Sequence, residues 1–307
     1  MHDVCAVVVS RSSDSYQLEA CVESLFSHAG SISLEVVVVD IGSGRTSDYV
    51  ERCLPSVRTI RCPERSAGYA FNRGLETTDA RYAAFMAPEI DLLDGTLSQL
   101  TSALDSFPNI AVTGVHQIGA DDSLAPSIGR FPSTLHMFAD ATGLAALPGA
   151  RRFLGEQMLS AHGYKLPRTC DWISGSFMFA RTAALESIGW LDERLLYFED
   201  ADLCWRLRRL GWEVVYLPCM TLRNHQHDRP ENARREARIA YARMQFARKH
   251  FPRAAAEYRW ALALRYALRV GAYSLRGRYE SHRRRAARAA LRTVVKGQPP
   301  FEEPSVI

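Results

Sequence analysis

Between Tyr197 and Trp212 the chain reads YFEDADLCWRLRRLGW, which places Glu199, Asp200 and Asp202 within four positions at the entry to a helical pattern. A carboxylate there has two physical uses. It can stabilise a helix start, where free N–H groups and the dipole favour negative charge, or it can take a proton from a reacting group. Other residues able to do chemistry fall at the ends of apolar runs. VCAVVVS ends on Ser10 followed by Arg11, LEVVVVD ends on Asp40, and RYAAFMAPEID ends on Glu89 and Asp91. Taken singly, each is an ordinary solvated turn residue. Their recurrence at successive strand ends points to one rim, because open α/β sheets bind ligands outside the carboxyl ends of their strands.

The elements that must hold these groups follow from periodicity. The first 115 residues alternate apolar runs with helical patterns, the βαβ signature of a largely parallel sheet. Strands are expected at Val4–Ser10, Leu34–Asp40, around Val57–Arg61 and over Arg81–Asp91, with helices near Tyr16–His28, Thr46–Leu54 and in AGYAFNRGLETT. Residues 119–170 are poorly periodic and carry glycine, proline and isolated aromatics, so a long insertion or loop is expected, of the kind that often forms a lid. Order returns at Trp172 with ISGSFMFAR as a strand, TAALESIG as a helix closed by Gly189, and EVVYLP as a strand after the acidic stretch. After Pro230 the pattern is helical, over Asn232–His250 and Ala254–Leu275, and then a dense basic segment precedes a tail, 298–307, expected to be disordered. The division is 1–228 as an α/β domain (1–115 and 170–228 as its two halves), 229–297 as a basic helical extension, then the tail.

Composition narrows the class. At 307 residues and 47% apolar the chain can bury one large core or two modest ones. Seven scattered cysteines with no C-x-x-C pair read as reduced, mostly buried small residues rather than a zinc or redox site. No basic start with an apolar run marks a secretory leader, and no window of about 18 uncharged apolar residues spans a bilayer. A cytoplasmic protein is expected, on this reading peripheral at the inner face of the cell membrane. Residues 1–228 hold 19 Lys+Arg and 28 Asp+Glu, net −9, whereas residues 229–307 hold 19 and 6, net +13. The helix carrying Arg259, Arg265, Arg269 and Arg276 is too charged to span a membrane and fits a surface, an anionic one by its charge. Nucleic acid is the rival partner for a basic segment, but no recognition motif accompanies the arginines, and none is expected to bind. A second copy of the chain could pair with the helices near 232–275.

The order of VVVVDIGSG, AGYAFNRGL, FMAPEID, DWISGSFMFAR and GWLDERLLYFEDADLCWRLRRLGW resembles the family 2 glycosyltransferases of GT-A fold, especially their rhamnosyltransferase-like branch. The likeness covers about residues 4–227 and is strongest from Gly175 to Pro218. It implies a nucleotide-binding, mixed, mostly parallel sheet flanked by helices. It also implies an inverting transferase that moves a sugar, dTDP-rhamnose being the leading donor, onto an acceptor hydroxyl. A saccharide carried on a polyprenyl diphosphate would suit such an envelope enzyme. A non-catalytic, nucleotide-sugar-binding relative is the alternative.

Roles follow from the resemblance residue by residue. Inversion in one displacement asks for one base and no protein nucleophile. The family pattern makes that base Asp200, with Glu199 supporting it and Asp202 serving the helix. The helix dipole should lower the carboxylate's pKa and keep it ionised. Ser10, Arg11, Asp40, Gly68, Asn72, Glu89 and Asp91 fall on the nucleotide-sugar side, and Trp172, Ser174, Gly175 and Ser176 on the acceptor side. A divalent cation, Mg²⁺ or Mn²⁺, would stabilise the leaving diphosphate. MAPEID departs from the family's Asp-x-Asp or Asn-Pro-Asp, with Ala87, Pro88 and Glu89 in those places. Glu89 and Asp91, on one side of an extended chain, are the expected ligands there. A third ligand is expected just after the strand ending at Pro218, where NHQH offers His225 first and His227 in reserve.

Overall fold

A computed structural model describes residues 2–11, 15–63, 65–144, 161–225, 232–275 and 281–300. His227, Arg276 and most of the tail expected to be disordered lie outside the described residues. Two compact units emerge, one of Met1–Gly129, Ala161–Arg194 and Glu199–Asp228, the other of Arg130–Ser160, Leu195–Phe198 and Arg229–Ile307.

In the first unit, β1 (Val4–Ser10) and β2 (Leu34–Asp40) are valine-rich runs of the kind that suits strands covered on both faces. Between them α1 (Ser15–Ser27) buries Leu18, Cys21, Val22 and Leu25, the i, i+3, i+4, i+7 stripe of a helix lying on a sheet. α2 (Arg45–Cys53) leads to β3 (Arg58–Arg61), and α3 (Ala67–Leu75) is capped by Ser66, whose hydroxyl accepts the Tyr69 N–H at 3.1 Å. A Cβ on Gly74 would lie 2.5 Å from Cγ1 of Val7, so only glycine lets α3 rest this closely on β1. β4 (Tyr82–Met86), β5 (Ile90–Asp94), α4 (Leu97–Ser106) and β6 (Ile110–Ile118) follow.

Among the described residues the main sheet has nine strands, eight in the order β3-β2-β1-β4-β10-β6-β11-β5, where β10 is Phe177–Arg181 and β11 is Glu213–Asn224, and a ninth, Arg168–Thr169, pairing antiparallel with β11 off this path. Strands β3, β2, β1 and β4 are mutually parallel; β10 enters antiparallel between β4 and β6; β11 runs parallel to β6, and β5 antiparallel to β11. Tyr82 and Phe179 stack across β4 and β10 with ring centroids 5.5 Å apart. The parallel half, with its helices, delivers Ser10 beside Asp40 in register.

Three expectations are corrected here. The single strand over Arg81–Asp91 is two, β4 and β5, because Pro88 lacks an N–H and a turn closes from the Ile90 N–H to the Ala87 carbonyl at 3.2 Å. The strand expected to stop at Pro218 continues to Asn224. Its register against β6 shifts between Tyr216 and Thr221, and that irregular stretch accommodates the proline. The stretch 119–170 is not all loop. Its described residues include β7 (Ile128–Gly129), α5 (Thr134–Thr142), a 3₁₀ turn at Ala161–Tyr164 and β8 (Arg168–Thr169). β9 (Trp172–Ile173) pairs with β7, and α6 (Thr182–Ser187) precedes α7 (Glu199–Arg209), whose first turn carries the acidic stretch.

The second unit is helical. α5 joins α8 (Ala233–His250), α9 (Ala255–Leu275) and α10 (Ser281–Lys296) around Met137, Met244, Tyr258, Leu262, Tyr266 and Val294. Alanines at 240, 247, 287 and 290 let these helices approach closely. Arg259 donates to the carbonyls of Val294 and Val295 at 2.9 and 2.6 Å, satisfying the C-terminal turn of α10, and Gly297, at φ 69°, terminates it. Arg265 faces Asp140 at 3.8 Å and Arg269 faces Glu236 at 3.9 Å. Arg259, Arg265 and Arg269 of α9 therefore make their contacts within this unit.

Candidate active site

The site begins with the first turn of α7. Glu199, Asp200 and Asp202 all lie within the helix. Phe198, immediately before it, holds φ 67°, a left-handed conformation that a bulky residue rarely adopts. Asp200 turns its carboxylate toward the turn before β10. Its Oδ2 accepts the Gly175 N–H at 2.8 Å and its Oδ1 accepts the Ala201 N–H at 2.7 Å. A Cβ on Gly175 would stand 3.5 Å from the Asp200 side chain, so the turn packs directly against the acid. Asp202 is fully buried and pairs with Arg206 one turn on at 2.8 Å, while Arg206 reaches the Ile188 carbonyl at 2.7 Å. It serves the helix through that pair.

Burial raises the pKa of Asp200, and the N–H bonds from Gly175 and Ala201 oppose the rise. Burial raises Glu199 further, helped by the neighbouring Asp200 charge. The expected lowering by the helix dipole is outweighed by desolvation. Glu199 Oε2 is buried with no hydrogen-bond partner among the described residues. The acid with fewer stabilising N–H groups keeps the proton longer, which leaves Asp200 as the ionised member.

A second cluster lies at the turn between β4 and β5. His225, directly after β11, brings Nε2 to 2.6 Å from Asp91 Oδ2, and its backbone N–H donates to the Glu89 carbonyl at 3.0 Å. β11 places it there through register, Asn224 opposite Ile90 and Arg223 opposite Asp91. The three residues expected as ligands are thus brought together, but in unequal parts. Asp91 and His225 meet through side chains, whereas Glu89, 6% exposed, meets His225 through its carbonyl. Among the described residues no group of three His, Cys, Asp or Glu side chains is arranged to hold a metal.

Gln117 was not anticipated. It is 1% exposed at the end of β6, and its Oε1 accepts from Ser176 Oγ at 3.0 Å and from Asn224 Nδ2 at 3.2 Å. Its Nε2 is buried without a hydrogen-bond partner among the described residues. Ser174 Oγ stands 3.1 Å from Ser176 Oγ, and the Ser176 carbonyl accepts the Ala87 N–H at 3.1 Å. Gln117 and Ser176 therefore tie the turn that holds Asp200 to the chain that carries Asp91 and His225. A glutamine next to the last residue of the mostly apolar run IAVTGVHQI was the available signal. Trp172 packs against Gly129, where a Cβ would lie 2.5 Å from the indole.

Other expected nucleotide contacts have internal tasks. Asp40, 2% exposed, accepts the Gly42 N–H at 2.8 Å on Oδ1 and the Ser47 N–H at 3.0 Å on Oδ2, fixing the entry to α2. Ser10 Oγ lies 3.4 Å from Thr46 Oγ1, and Arg11, exposed, reaches the Arg65 carbonyl at 3.5 Å. Asn72 clasps the segment ahead of α7. Its Nδ2 donates to the Leu191 carbonyl at 3.0 Å and to Glu193 Oε1 at 2.9 Å, and its Oδ1 accepts the Leu191 N–H at 3.1 Å. Gly68 faces the same segment, where a Cβ would be 3.3 Å from the Asp192 carbonyl oxygen. These two residues position the acidic stretch, a task sequence order alone did not disclose.

Comparison with known proteins identifies the family. The family described as "Glycosyltransferase like family 2" matches residues 2–263. An N-acetylglucosaminyl-diphospho-decaprenol L-rhamnosyltransferase of Mycobacterium tuberculosis is 28% identical over 249 residues, 74% of this chain and 77% of that protein. The rhamnosyltransferase WbbL of Escherichia coli is 28% identical over 109 residues, 31% of this chain and 41% of that one. Among solved structures, the mannosyltransferase PcManGT from Pyrobaculum calidifontis, in complex with GDP-Man and Mn²⁺, superposes with a TM-score of 0.56 at 14% identity, covering 96% of this chain and 87% of that one. The fold is the GT-A fold expected from the sequence, and with the family matched over residues 2–263 the chain belongs to glycosyltransferase family 2 and is a glycosyltransferase.

Proposed function

We propose that the chain transfers a sugar, with inversion, from a nucleoside diphosphate sugar to an acceptor hydroxyl, and that Asp200 is the base. The observation that carries this reading is the Asp200 carboxylate fixed by the Gly175 and Ala201 N–H groups at 2.8 and 2.7 Å, on the turn expected to line the acceptor. The acceptor hydroxyl gives its proton to Asp200 as its oxygen bonds the anomeric carbon, and the bond from that carbon to the diphosphate oxygen breaks. The nucleoside diphosphate leaves with the electron pair. Glu199, holding its proton, keeps a second charge away from the base.

At the other cluster, Asp91 and His225 offer one hard oxygen and one imidazole nitrogen. Those two residues would hold a Mg²⁺ or Mn²⁺ ion, for which both donor types are suitable. Such an ion would neutralise the leaving diphosphate. Glu89 holds His225 in place through its carbonyl. The Mycobacterium tuberculosis relative, an N-acetylglucosaminyl-diphospho-decaprenol L-rhamnosyltransferase, supports a rhamnosyl donor such as dTDP-rhamnose and an acceptor saccharide on a polyprenyl diphosphate.

The test is a panel of nucleoside diphosphate sugars offered with polyprenyl-diphosphate-linked acceptors, with Mg²⁺ or Mn²⁺ and then with chelator. Transfer from a rhamnosyl donor, lost in Asp200→Asn while donor binding persists, is the expected result. Donor binding with no turnover on any member of the panel would identify a non-catalytic relative instead.

A further inference from the structure

We propose that the helical unit docks on an anionic lipid surface through the exposed face of α9, with the arginines of α10 contacting phospholipid headgroups. The inference does not rest on which sugar or acceptor the enzyme uses. α9 is arranged inside out for a helix in water. Its arginines 259, 265 and 269 are turned to partners within the unit, namely the Val294 and Val295 carbonyls, Asp140 and Glu236. Its solvent face carries Trp260 at 74% exposure, Leu264 at 38%, Leu268 at 46% and Leu275 at 91%. Positions 260, 264, 268 and 275 lie along one side of a 3.6-residue helix. Glu257 is the one charged residue among the exposed positions of α9.

α5, which packs on α9, exposes Leu135 and Phe138 one turn apart while its Met137 enters the shared core. Large apolar side chains lined up in this way mark an interaction surface, whereas singly scattered ones do not. Those on the first unit, such as Tyr16, Phe107 and Leu210, are scattered along the chain. A tryptophan with exposed leucines suits the headgroup level of a bilayer, where an indole has both apolar contact and a polar neighbour.

Charge selects lipid over a second copy of the chain. α10 packs on α9 and exposes Arg285, Arg288 and Arg292 at i, i+3, i+7, so they form a cationic stripe. With residues 229–307 at net +13, a second identical unit would be repelled and an anionic headgroup layer attracted. No helix among the described residues is long and apolar enough to cross a membrane, so the contact is interfacial.

The experiment is co-sedimentation of the full chain with vesicles of phosphatidylcholine alone and of phosphatidylcholine with phosphatidylglycerol. Wild type should sediment with the phosphatidylglycerol vesicles. Trp260→Ser/Leu264→Ser/Leu268→Ser should lower partitioning on the order of tenfold or more at unchanged Tm. Arg285→Gln/Arg288→Gln/Arg292→Gln should erase the preference for phosphatidylglycerol. A readout independent of multiple substitution is quenching by brominated lipid, expected in wild type and reduced in Trp260→Phe. Failure of wild type to bind either vesicle would overturn the proposal, as would equal binding by the apolar triple variant. Self-association that disappears in that variant, without vesicle binding, would overturn it in favour of a second copy.

Discussion

The two ends of the candidate site are built by different means. At the acceptor end, Asp200 is held by backbone: the Gly175 N–H on one oxygen, the Ala201 N–H on the other, and the first turn of α7 beneath it. At the donor end, Asp91 and His225 are held by each other, 2.6 Å apart, at the end of a strand that has passed a proline and a register shift. Backbone donors stay put when a neighbouring side chain changes; a side-chain pair depends on both members. The acceptor end should therefore be specific to one residue, and the donor end should respond to either partner and to the ions in solution.

The largest effect expected falls on the acceptor end. Asp200→Asn preserves shape and removes the base, and kcat should drop by about 10²–10⁴-fold with donor affinity nearly unchanged. Separate measurement of kcat and donor Kd checks this. A loss in Kd alone would move Asp200 to the binding machinery and reverse the contrast. Next, Asp91→Asn and His225→Ala should each cost on the order of a hundredfold in kcat/KM, about 2.7 kcal/mol of barrier. Because the two act together, the double variant should lose little more than either single one. Additive losses would show that they act separately. A shift in the Mn²⁺ concentration needed for half activity, in both single variants, is the signature of a shared ion.

Smaller effects are expected from the residues that hold the two ends in place. Asn72→Ala leaves the Leu191 N–H and carbonyl without their present side-chain partners and should cost about 1–3 kcal/mol of stability, read as a lower denaturant midpoint at unchanged slope. Gln117→Leu keeps volume but removes the acceptor shared by Ser176 and Asn224. It should weaken the coupling between Asp200 and the Asp91–His225 pair, visible as a changed metal requirement. A purely structural glutamine would lower Tm and leave that requirement alone.

How much of this was legible in the sequence depended on the range of the interaction. β1, β2, α1 and the terminal helices were readable because apolar periodicity is local, and the family order singled out Asp200 as the base proposed above. Pro218 was read as a stop because proline cannot donate to a ladder; a register shift that accommodates it is a property of the neighbouring β6. The split at Pro88 had a visible local cause, but the destination of β5, beside β11, did not. Asn72 with Leu191, Gln117 with Asn224 and Ser176, and the inward arginines of α9 are pairings between distant residues. A single sequence names the partners without saying that they meet. Residue type also misled where burial decided the sign, as at Asp200, whose position at a helix start suggested a lowered pKa.

Glu199 gives the finest test of the contrast, through stability. Burial and the Asp200 charge hold its folded pKa above the ordinary carboxylate value. Between those two values the folded chain binds a proton that the unfolded chain has released, so stability falls as pH rises through that window. Below the unfolded value both states are protonated and the penalty is absent. Glu199→Gln carries no titrating group, so it should match wild type near pH 4 and exceed it increasingly toward about pH 8, by about 1 kcal/mol or roughly 2–4 °C in Tm. Thermal melts of both proteins across that range measure the difference directly. If the gain is independent of pH, the orphaned Oε2 is the cause and charge is not. If it grows with pH, the Glu199 charge is the cause, and the acceptor end is coupled to a neighbour that its backbone donors do not hold.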